Sequence, residues 1–328
     1  MKEHNRRQFL RYAAAAGVAL ANIPLSVVSA RAEPERKDSV KVRAVLAHVT
    51  HYDPSFNRNK ESEEPFDLEV GLELVETMAA HGLNTLVMDI EDGVIYESHP
   101  ELQRHYSVPM KDLELLAETA RGNNIDFVPK CNFSKSGRNH HDMWMKPHWR
   151  ETGWTWKMDE YWQVAGDVID ELVSVCKPRK YFHIGMDEDH YRSVSQYVEA
   201  IKILHGKIGK HGLKAAMWND TCYLDRNVVA QVYADKTIAA EPLIPRDMVQ
   251  LVWDYDLVHE GIVKRLTDQG FEAWVAPGGN LERIARWKKI LLAEGGNGLL
   301  MSNWVKCSRR NRDRIVSMIT EQAPVYSG

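Results

Sequence analysis

Eight short apolar runs alternate with amphipathic stretches along most of this 328-residue chain. Such alternation is typical of a parallel sheet in which a helix follows each strand. Eight consecutive units in one unbroken run predict a closed barrel. The predicted strands are residues 41–49, 84–91, 125–131, 181–187, 213–219, 248–253, 271–276 and 297–303.

Between these strands, helical patterns cover about 67–81, 111–121, 159–176, 192–210, 256–269, 281–294 and 309–320. The weakest stretch is 221–247, which contains two prolines and leaves room for one short helix. An open doubly wound sheet is the alternative, but no Gly-x-Gly-x-x-Gly motif follows the first strand. We therefore predict a single-domain (β/α)8 TIM barrel over residues 33–328.

The first 32 residues have the order basic, apolar, small that is typical of a signal peptide. Arg6 and Arg7, followed by Phe9 and Leu10, resemble a twin-arginine signal, which an export receptor recognises. An N-terminal membrane anchor is the alternative, although the apolar run is short for a membrane span. We expect the twin-arginine export machinery as a partner, a periplasmic or extracellular location, and no stable membrane insertion after cleavage.

Charge and cysteine usage exclude several classes of function. The net charge is -4 with both signs mixed along the chain, which gives no support for a nucleic-acid partner. None of the four cysteines forms a Cys-x-x-Cys pair, so neither a zinc knuckle nor a thioredoxin motif is indicated. We expect buried thiols, with one disulfide left open in an oxidising compartment: Cys131, Cys176, Cys222, Cys307.

Polar and aromatic residues collect at the predicted strand ends, where barrels of this kind carry their chemistry. Tryptophan faces stack on the apolar face of a sugar ring, and carboxylates or amides bind its hydroxyls. The pattern favours a carbohydrate substrate. The residues are His48, Thr50, His51, Asp89, Glu91, Asp92, Lys130, Asn132, His183, Asp187, Glu188, Asp189, Trp218, Asn219, Asp220, Trp253, Asp254, Tyr255, Asn280, Asn303 and Trp304.

The most specific motif is Phe-His-Ile-Gly-Met-Asp-Glu at the end of the fourth predicted strand. Alternation along a strand places His183, Gly185 and Asp187 on one side, and Glu188 follows where the strand becomes a loop. A second carboxylate and partial burial both raise the pKa of an acid, which suits a general acid. Gly185 leaves room for a close neighbour. The alternative is that the Asp-Glu pair caps the next helix.

The longest connection, residues 132–158, is rich in histidine and tryptophan and is expected to be a lid or wall of the site. Its histidines show no tight ligand spacing, so we predict satisfied or exposed imidazoles, no metal site and no cofactor. The residues concerned are Arg138, His140, His141, Trp144, His148, Trp149, Trp154 and Trp156.

The fourth-strand motif resembles that of the family 20 glycoside hydrolases, the β-N-acetylhexosaminidases, whose fourth strand carries His-x-Gly-Gly-Asp-Glu. The match is at His183, Gly185, Asp187 and Glu188, and Met186 departs from it. The resemblance covers about residues 41–320, the barrel, without the α/β domain that usually precedes it. It implies a retaining exo-glycosidase in which the substrate's own acetamido oxygen is the nucleophile.

The resemblance also implies roles for individual residues. Glu188 is the general acid/base, and Asp187 orients the 2-acetamido group. Three tryptophans and the first-strand arginine correspond to the sugar pocket: Trp218, Trp253, Trp304 and Arg43. We add His183, Asp220 and Tyr255 to the predicted substrate-binding set.

Besides Met186, two further positions depart from the family pattern. The family's tyrosine at the end of the seventh strand is missing, since the chain reads Ala-Pro-Gly-Gly-Asn to Asn280 there, and Tyr255 or Tyr223 is a possible substitute. A family glutamate two residues beyond the last tryptophan is replaced by Lys306. These departures leave a glycan-binding barrel without catalysis open as an alternative. The histidine-rich connection and the carboxylates at the strand ends leave a metal-dependent hydrolase open as another.

Overall fold

A computed structural model describes residues 39–51, 60–136, 141–148, 159–223 and 228–328. The predicted signal peptide, residues 1–32, lies outside the described residues, as do 137–140 and 149–158 of the long connection. Within the described part of the chain, no helix combines the length and apolar character that a membrane span requires.

Eight parallel strands close into a barrel in which each strand pairs with the next barrel strand along the chain, and the last pairs with the first. All eight predicted strands are present, so the predicted fold class is confirmed. Their bounds are β1 Val42–His48, β2 Thr85–Asp89, β3 Asp126–Lys130, β4 Tyr181–His183, β5 Lys214–Asn219, β6 Val249–Trp253, β7 Glu272–Ala276 and β8 Gly298–Met301. A separate two-stranded sheet pairs Val94–Ile95 with Val108–Pro109.

A helix follows each barrel strand and packs on its outer side. The bounds are α1 Leu68–Ala80, α2 Met110–Gly122, α3 Asp159–Cys176, α4 Val194–Gly209, α5 Val228–Ala240, α6 Ile262–Asp268, α7 Leu281–Ala293 and α8 Arg312–Ser327. The weak stretch 221–247 contains α5, and α6 is shorter than its pattern predicted. Short 3-10 helices cover Lys60–Ser62, Pro100–Leu102, His141–His148, Asp220–Tyr223, Glu241–Leu243 and Arg309–Asn311.

Several helices begin where a polar side chain binds their first amide groups. The carboxylate of Asp67 accepts from the backbone of the first turn of α1, and Ser193 and Gln196 form a capping box at the start of α4. Such caps satisfy N–H groups that have no partner within the helix. They fix where each helix leaves the rim of the barrel.

Apolar packing occupies two regions. One core lies between the barrel and its helices, and a smaller one inside the barrel contains Leu46, Val87, Leu251 and Leu300 among others. Filling of the lumen by side chains leaves the strand ends as the place for a site. All four cysteines are buried as thiols, as predicted.

The fourth strand is shorter than predicted. It ends at His183, because Gly185 and Met186 have φ angles of 69° and 76°, outside the extended region. Strict alternation of side chains therefore stops at His183, and the prediction that Gly185 and Asp187 continue the strand is wrong. The irregular backbone from Gly185 to Glu188 instead determines how the two carboxylates are placed.

Candidate active site

Asn132, just beyond β3, organises the irregular segment after β4. Its Oδ1 accepts from the backbone N–H groups of Met186 (3.0 Å) and Ser134 (3.1 Å), and its Nδ2 donates to Oδ1 of Asp187 at 2.6 Å. A Cβ atom on Gly185 would lie 2.2 Å from the Asn132 oxygen. Glycine is thus required there by both close approach and positive φ, in agreement with the expected close neighbour.

Asp187 is a buried, ionised carboxylate. Its Oδ2 lies 3.1 Å from Nε2 of His141, which comes from the long connection after β3. Burial opposes ionisation of Asp187, but the charge and hydrogen bond of His141, helped by Lys130, hold its pKa at about 2. Burial likewise opposes protonation of His141, and Asp187 outweighs it, so the pKa of His141 is raised well above its usual value.

Glu188 is oriented differently from its neighbour. Its φ of 49° turns the chain, and its backbone N–H donates to Oδ2 of Asp220 at 2.9 Å. Its side chain is 24% exposed, whereas that of Asp187 is 7% exposed. The Glu188 carboxylate can therefore reach a ligand, and Nε2 of His141 lies 3.7 Å from its Oε2.

Asp220 follows β5 and supports both Glu188 and a tryptophan. Its Oδ1 accepts from Nε1 of Trp253 at 3.1 Å, while Oδ2 accepts from the Glu188 backbone. Burial, together with the negative charges of Asp187 and Glu188, raises the pKa of Asp220 well above its ordinary value. Asp220 is thus difficult to ionise, and its two oxygens accept the hydrogen bonds that hold the Glu188 backbone and the Trp253 ring in place.

Aromatic rings form a continuous wall beside the carboxylates. Trp304, after β8, has its ring 5.0 Å from that of His51 and 6.2 Å from those of Trp218 and Tyr255. Trp253 continues the wall at 5.5 Å from Tyr255. Trp253, Tyr255 and Trp304 are partly exposed, so their faces are available for stacking on an apolar ring face.

Two buried donors adjoin this wall, on His183 and Trp218, whose rings are 5.1 Å apart. His183 accepts the Gly185 N–H on Nδ1, and burial lowers the pKa of His183 to about 3, so the neutral ring carries its proton on Nε2. Neither that Nε2 nor Nε1 of Trp218 has a hydrogen-bond partner among the described residues. Leaving a buried donor unsatisfied costs about 1–3 kcal/mol, which an oxygen of a ligand would recover.

A second polar cluster adjoins the first at the ends of β1, β2 and β3. Oδ2 of Asp89 lies 3.1 Å from Nδ1 of His48, 3.1 Å from Nδ1 of His51 and 2.7 Å from Nζ of Lys130. The histidine and Asp89 atoms are close enough to hold a metal ion. However, Lys130 already brings a positive charge to the same carboxylate oxygen, which a metal would have to displace.

Glu91, beyond β2, differs from Asp187 and Asp89 in the partners of its carboxyl group. It is fully buried, has a φ of 47°, and its carboxyl oxygens have no hydrogen-bond partner among the described residues. Burial and the neighbouring Asp89 raise its pKa well above the usual value. Burial and the lack of a hydrogen-bond partner in that part of the chain thus favour the neutral form of Glu91.

Comparison with known proteins identifies the barrel but not the sequence family. No family model matches the chain, and no curated protein matches its sequence. Its structure is similar to that of the exo β-N-acetylglucosaminidase of glycoside hydrolase family 20 from Vibrio harveyi, with a TM-score of 0.62 at 13% identity, over 88% of this chain and 54% of that chain. The barrel is of the kind found in family 20.

Two further structures show the same likeness. The family 20 β-N-acetylhexosaminidase of Streptomyces coelicolor gives a TM-score of 0.62 at 13% identity, over 88% of this chain and 64% of that chain. Dispersin B gives 0.53 at 14% identity, over 88% of this chain and 99% of that one. This chain thus spans less than two thirds of the first two proteins, and at these identities the likeness shows the fold alone.

Most of the predicted site residues meet at the strand ends, and Arg43 does not. Its guanidinium donates to the carbonyl oxygens of Gly82 (2.8 Å) and Val40 (2.9 Å), at the beginning of β1. It lies five positions before His48 in the sequence, or roughly 16 Å away at about 3.3 Å per residue. The prediction that Arg43 holds sugar hydroxyls is wrong, because the residue lies at the opposite end of its strand.

Lys306, at the position where the resemblance expects a glutamate, contacts the segment after β1. Its ammonium lies 3.5 Å from Oε1 of Glu63 and donates to the carbonyl of Glu64. These contacts connect the segment after β1 to the segment after β8. A parallel backbone bridge between His48 and Lys306 connects the same two parts of the chain. Lys306 thus acts as a rim contact in this structure.

Two central residues were absent from the predicted site set. Asn132 was recognised only as a strand-end residue, and His141 only as part of a histidine-rich loop. Position at the end of β3 was the available signal for Asn132. No local signal marked His141, because its contact with Asp187 depends on how the long connection folds back.

Proposed function

We propose that this protein is a retaining exo-glycosidase of the β-N-acetylhexosaminidase type, which removes terminal N-acetylhexosamine from glycans. The observation that carries the proposal is the pairing of a buried, ionised Asp187 with an accessible Glu188 beside an aromatic wall. Similarity to barrels of family 20 enzymes adds support from the fold.

In the first step, the protonated Glu188 donates its proton to the glycosidic oxygen as the bond to the anomeric carbon breaks. The carbonyl oxygen of the substrate's own acetamido group attacks that carbon and forms a cyclic oxazolinium ion. Asp187 stabilises the positive charge that develops on the amide. His141, which carries a positive charge near Glu188, stabilises the carboxylate that remains.

In the second step, Glu188 takes a proton from water as the water attacks the anomeric carbon. The cyclic ion opens, the acetamido group is restored, and Glu188 regains its proton. Two inversions at one carbon give overall retention. The protein therefore contributes a general acid/base and an electrostatic stabiliser, and the substrate contributes the nucleophile.

Three buried carboxyls at the strand ends, Asp89, Glu91 and Asp220, support substrate participation, because none of the three is a good nucleophile. A nucleophilic carboxylate must be ionised and accessible. Asp220 and Glu91 have raised pKa values, and Asp89 is held by Lys130 and two histidines. Hydroxyl oxygens of the sugar would accept hydrogen bonds from the unsatisfied N–H donors of His183 and Trp218.

Turnover of a panel of aryl glycosides by the mature chain, residues 33–328, tests this proposal. We expect release of the aryl group from N-acetylglucosaminide or N-acetylgalactosaminide, unchanged after treatment with a chelator. Turnover that a chelator abolishes would favour a metal-dependent hydrolase at His48, His51 and Asp89. Sugar binding without any turnover would favour a glycan-binding barrel.

Export through the twin-arginine route is part of the proposal, based on the sequence Asn-Arg-Arg-Gln-Phe-Leu at residues 5–10. Because the receptor recognises the arginine pair, replacing Arg6 and Arg7 together with lysine should block export and leave folded protein in the cytoplasm. Cell fractionation measures the outcome, with a single distant Arg→Lys variant, Arg310→Lys, as control. Normal export of the double variant would contradict the route.

A further inference from the structure

A histidine–carboxylate cluster lies outside the active site, where three segments meet around Glu101. Oε1 of Glu101 lies 2.8 Å from Nδ1 of His99 and 2.8 Å from Nε2 of His148. His99 and Glu101 belong to the connection between β2 and α2, and His148 ends the 3-10 helix His141–His148. The two imidazole rings are 5.7 Å apart and nearly perpendicular, at 73°.

The other nitrogen of each ring also faces a carboxylate. Nε2 of His99 lies 3.2 Å from Oδ2 of Asp167, and Nδ1 of His148 lies 3.2 Å from Oε1 of Glu160, both on α3. A neutral imidazole has one N–H and one lone pair. If His99 donates its N–H to Asp167 and His148 donates its N–H to Glu160, the lone pair of each ring points toward Oε1 of Glu101.

We propose that this cluster is a binding site for a divalent transition-metal ion of the zinc type. The ligands are Nδ1 of His99, Nε2 of His148 and Oε1 of Glu101, with water completing a tetrahedron. All three atoms lie within 4.8 Å of one another. Zinc bonds of about 2.0–2.1 Å separate ligand atoms by roughly 3.3 Å. Metal binding would therefore replace the two 2.8 Å contacts with slightly longer separations from Oε1 of Glu101 and bring the two histidine nitrogens closer together.

The partners of the second ring nitrogens match the pattern of a histidine metal site. Metal-binding histidines almost always donate their second N–H to a carboxylate, which fixes the tautomer and the ring orientation. Asp167 and Glu160 occupy those positions. The histidine side chains are 15% and 11% exposed, and Glu101 is 43% exposed, so an ion can enter from solvent.

The metal would act on stability and not on the chemistry. His141 and His148 lie at opposite ends of one 3-10 helix, roughly 14 Å apart at about 2.0 Å per residue. An ion at Glu101 would tie the end of this helix to the connection after β2, with α3 held through Asp167 and Glu160. That attachment would hold the segment from which His141 reaches Asp187.

The test is a titration of the chelator-stripped mature chain with zinc chloride, measured by calorimetry, with melting temperature as a second readout. We expect one bound equivalent at this site and a rise in melting temperature, since zinc binds the folded state. His99→Gln and His148→Gln should each weaken binding at least tenfold. Asp167→Asn keeps all three ligands and should weaken binding by about 10–100-fold, as loss of such outer partners does.

His211→Gln is the matched control, because Nε2 of His211 lies 2.7 Å from Oδ1 of Asp170 in an ordinary histidine–carboxylate pair. Zinc binding should be unchanged in that variant. The proposal is overturned if the wild type binds no zinc, or if His99→Gln and His148→Gln bind it as the wild type does. Binding lost instead in His48→Gln would place the ion at the barrel mouth and also overturn it.

Discussion

Glu188→Gln should lower turnover of an aryl N-acetylhexosaminide by about 10²–10⁴-fold, the usual contribution of a positioned general acid. Glutamine keeps the shape of the side chain but has no proton to give to the glycosidic oxygen. The backbone bond from residue 188 to Asp220 does not involve the side chain and would remain. The melting temperature should therefore barely change.

Glu199→Gln, on the exposed face of α4, is the matched control and should retain full activity. Steady-state kinetics compares the turnover of the two variants, and thermal melting compares their stability. An active Glu188→Gln enzyme would remove Glu188 from the acid role. A variant that loses activity only because it unfolds would show a large fall in melting temperature.

Asp187→Asn should lower kcat more than it raises KM, because the charge of Asp187 acts on a positive charge that exists only after the reaction begins. We expect a loss on the order of 10²–10³-fold, similar to that of other transition-state electrostatic contacts. The amide oxygen can still accept from Nδ2 of Asn132, so the loop after β4 should keep its geometry.

A thiazoline that mimics the cyclised intermediate gives Asp187→Asn a second readout. It should inhibit the wild type strongly and the variant weakly, because the variant lacks the charge that matches the intermediate. Equal inhibition of both proteins, or a variant with raised KM and unchanged kcat, would show that Asp187 binds the ground state only.

The barrel was predictable because its signal is distributed over the whole chain. Each of the eight strands shows its own apolar run, and α3 begins and ends where the pattern predicted, at Asp159–Cys176. The site was predictable where residues stand at strand ends. Trp253 is the last residue of β6, Tyr255 follows that strand and Trp304 follows β8, so closure of the barrel is enough to bring them together.

The errors arise where backbone geometry or loop folding decides the outcome. The positive φ angles at Gly185 and Met186 end β4 early, and alternation cannot anticipate them. The resemblance matches Arg43 to a first-strand arginine, but the match does not determine at which end of the strand the side chain is used. His148 meets His99 through a long connection, so no spacing in the sequence could reveal that contact.

The most direct test of the central claim is a series of aryl N-acetylglucosaminides whose acetamido methyl carries zero, one, two or three fluorine atoms. Fluorine withdraws electrons from the carbonyl oxygen and weakens it as a nucleophile, while the leaving group and the proton from Glu188 stay the same. The account predicts that kcat/KM of the wild type falls steadily along the series. A kcat/KM independent of fluorine, or equal turnover of the plain aryl glucoside, would contradict it.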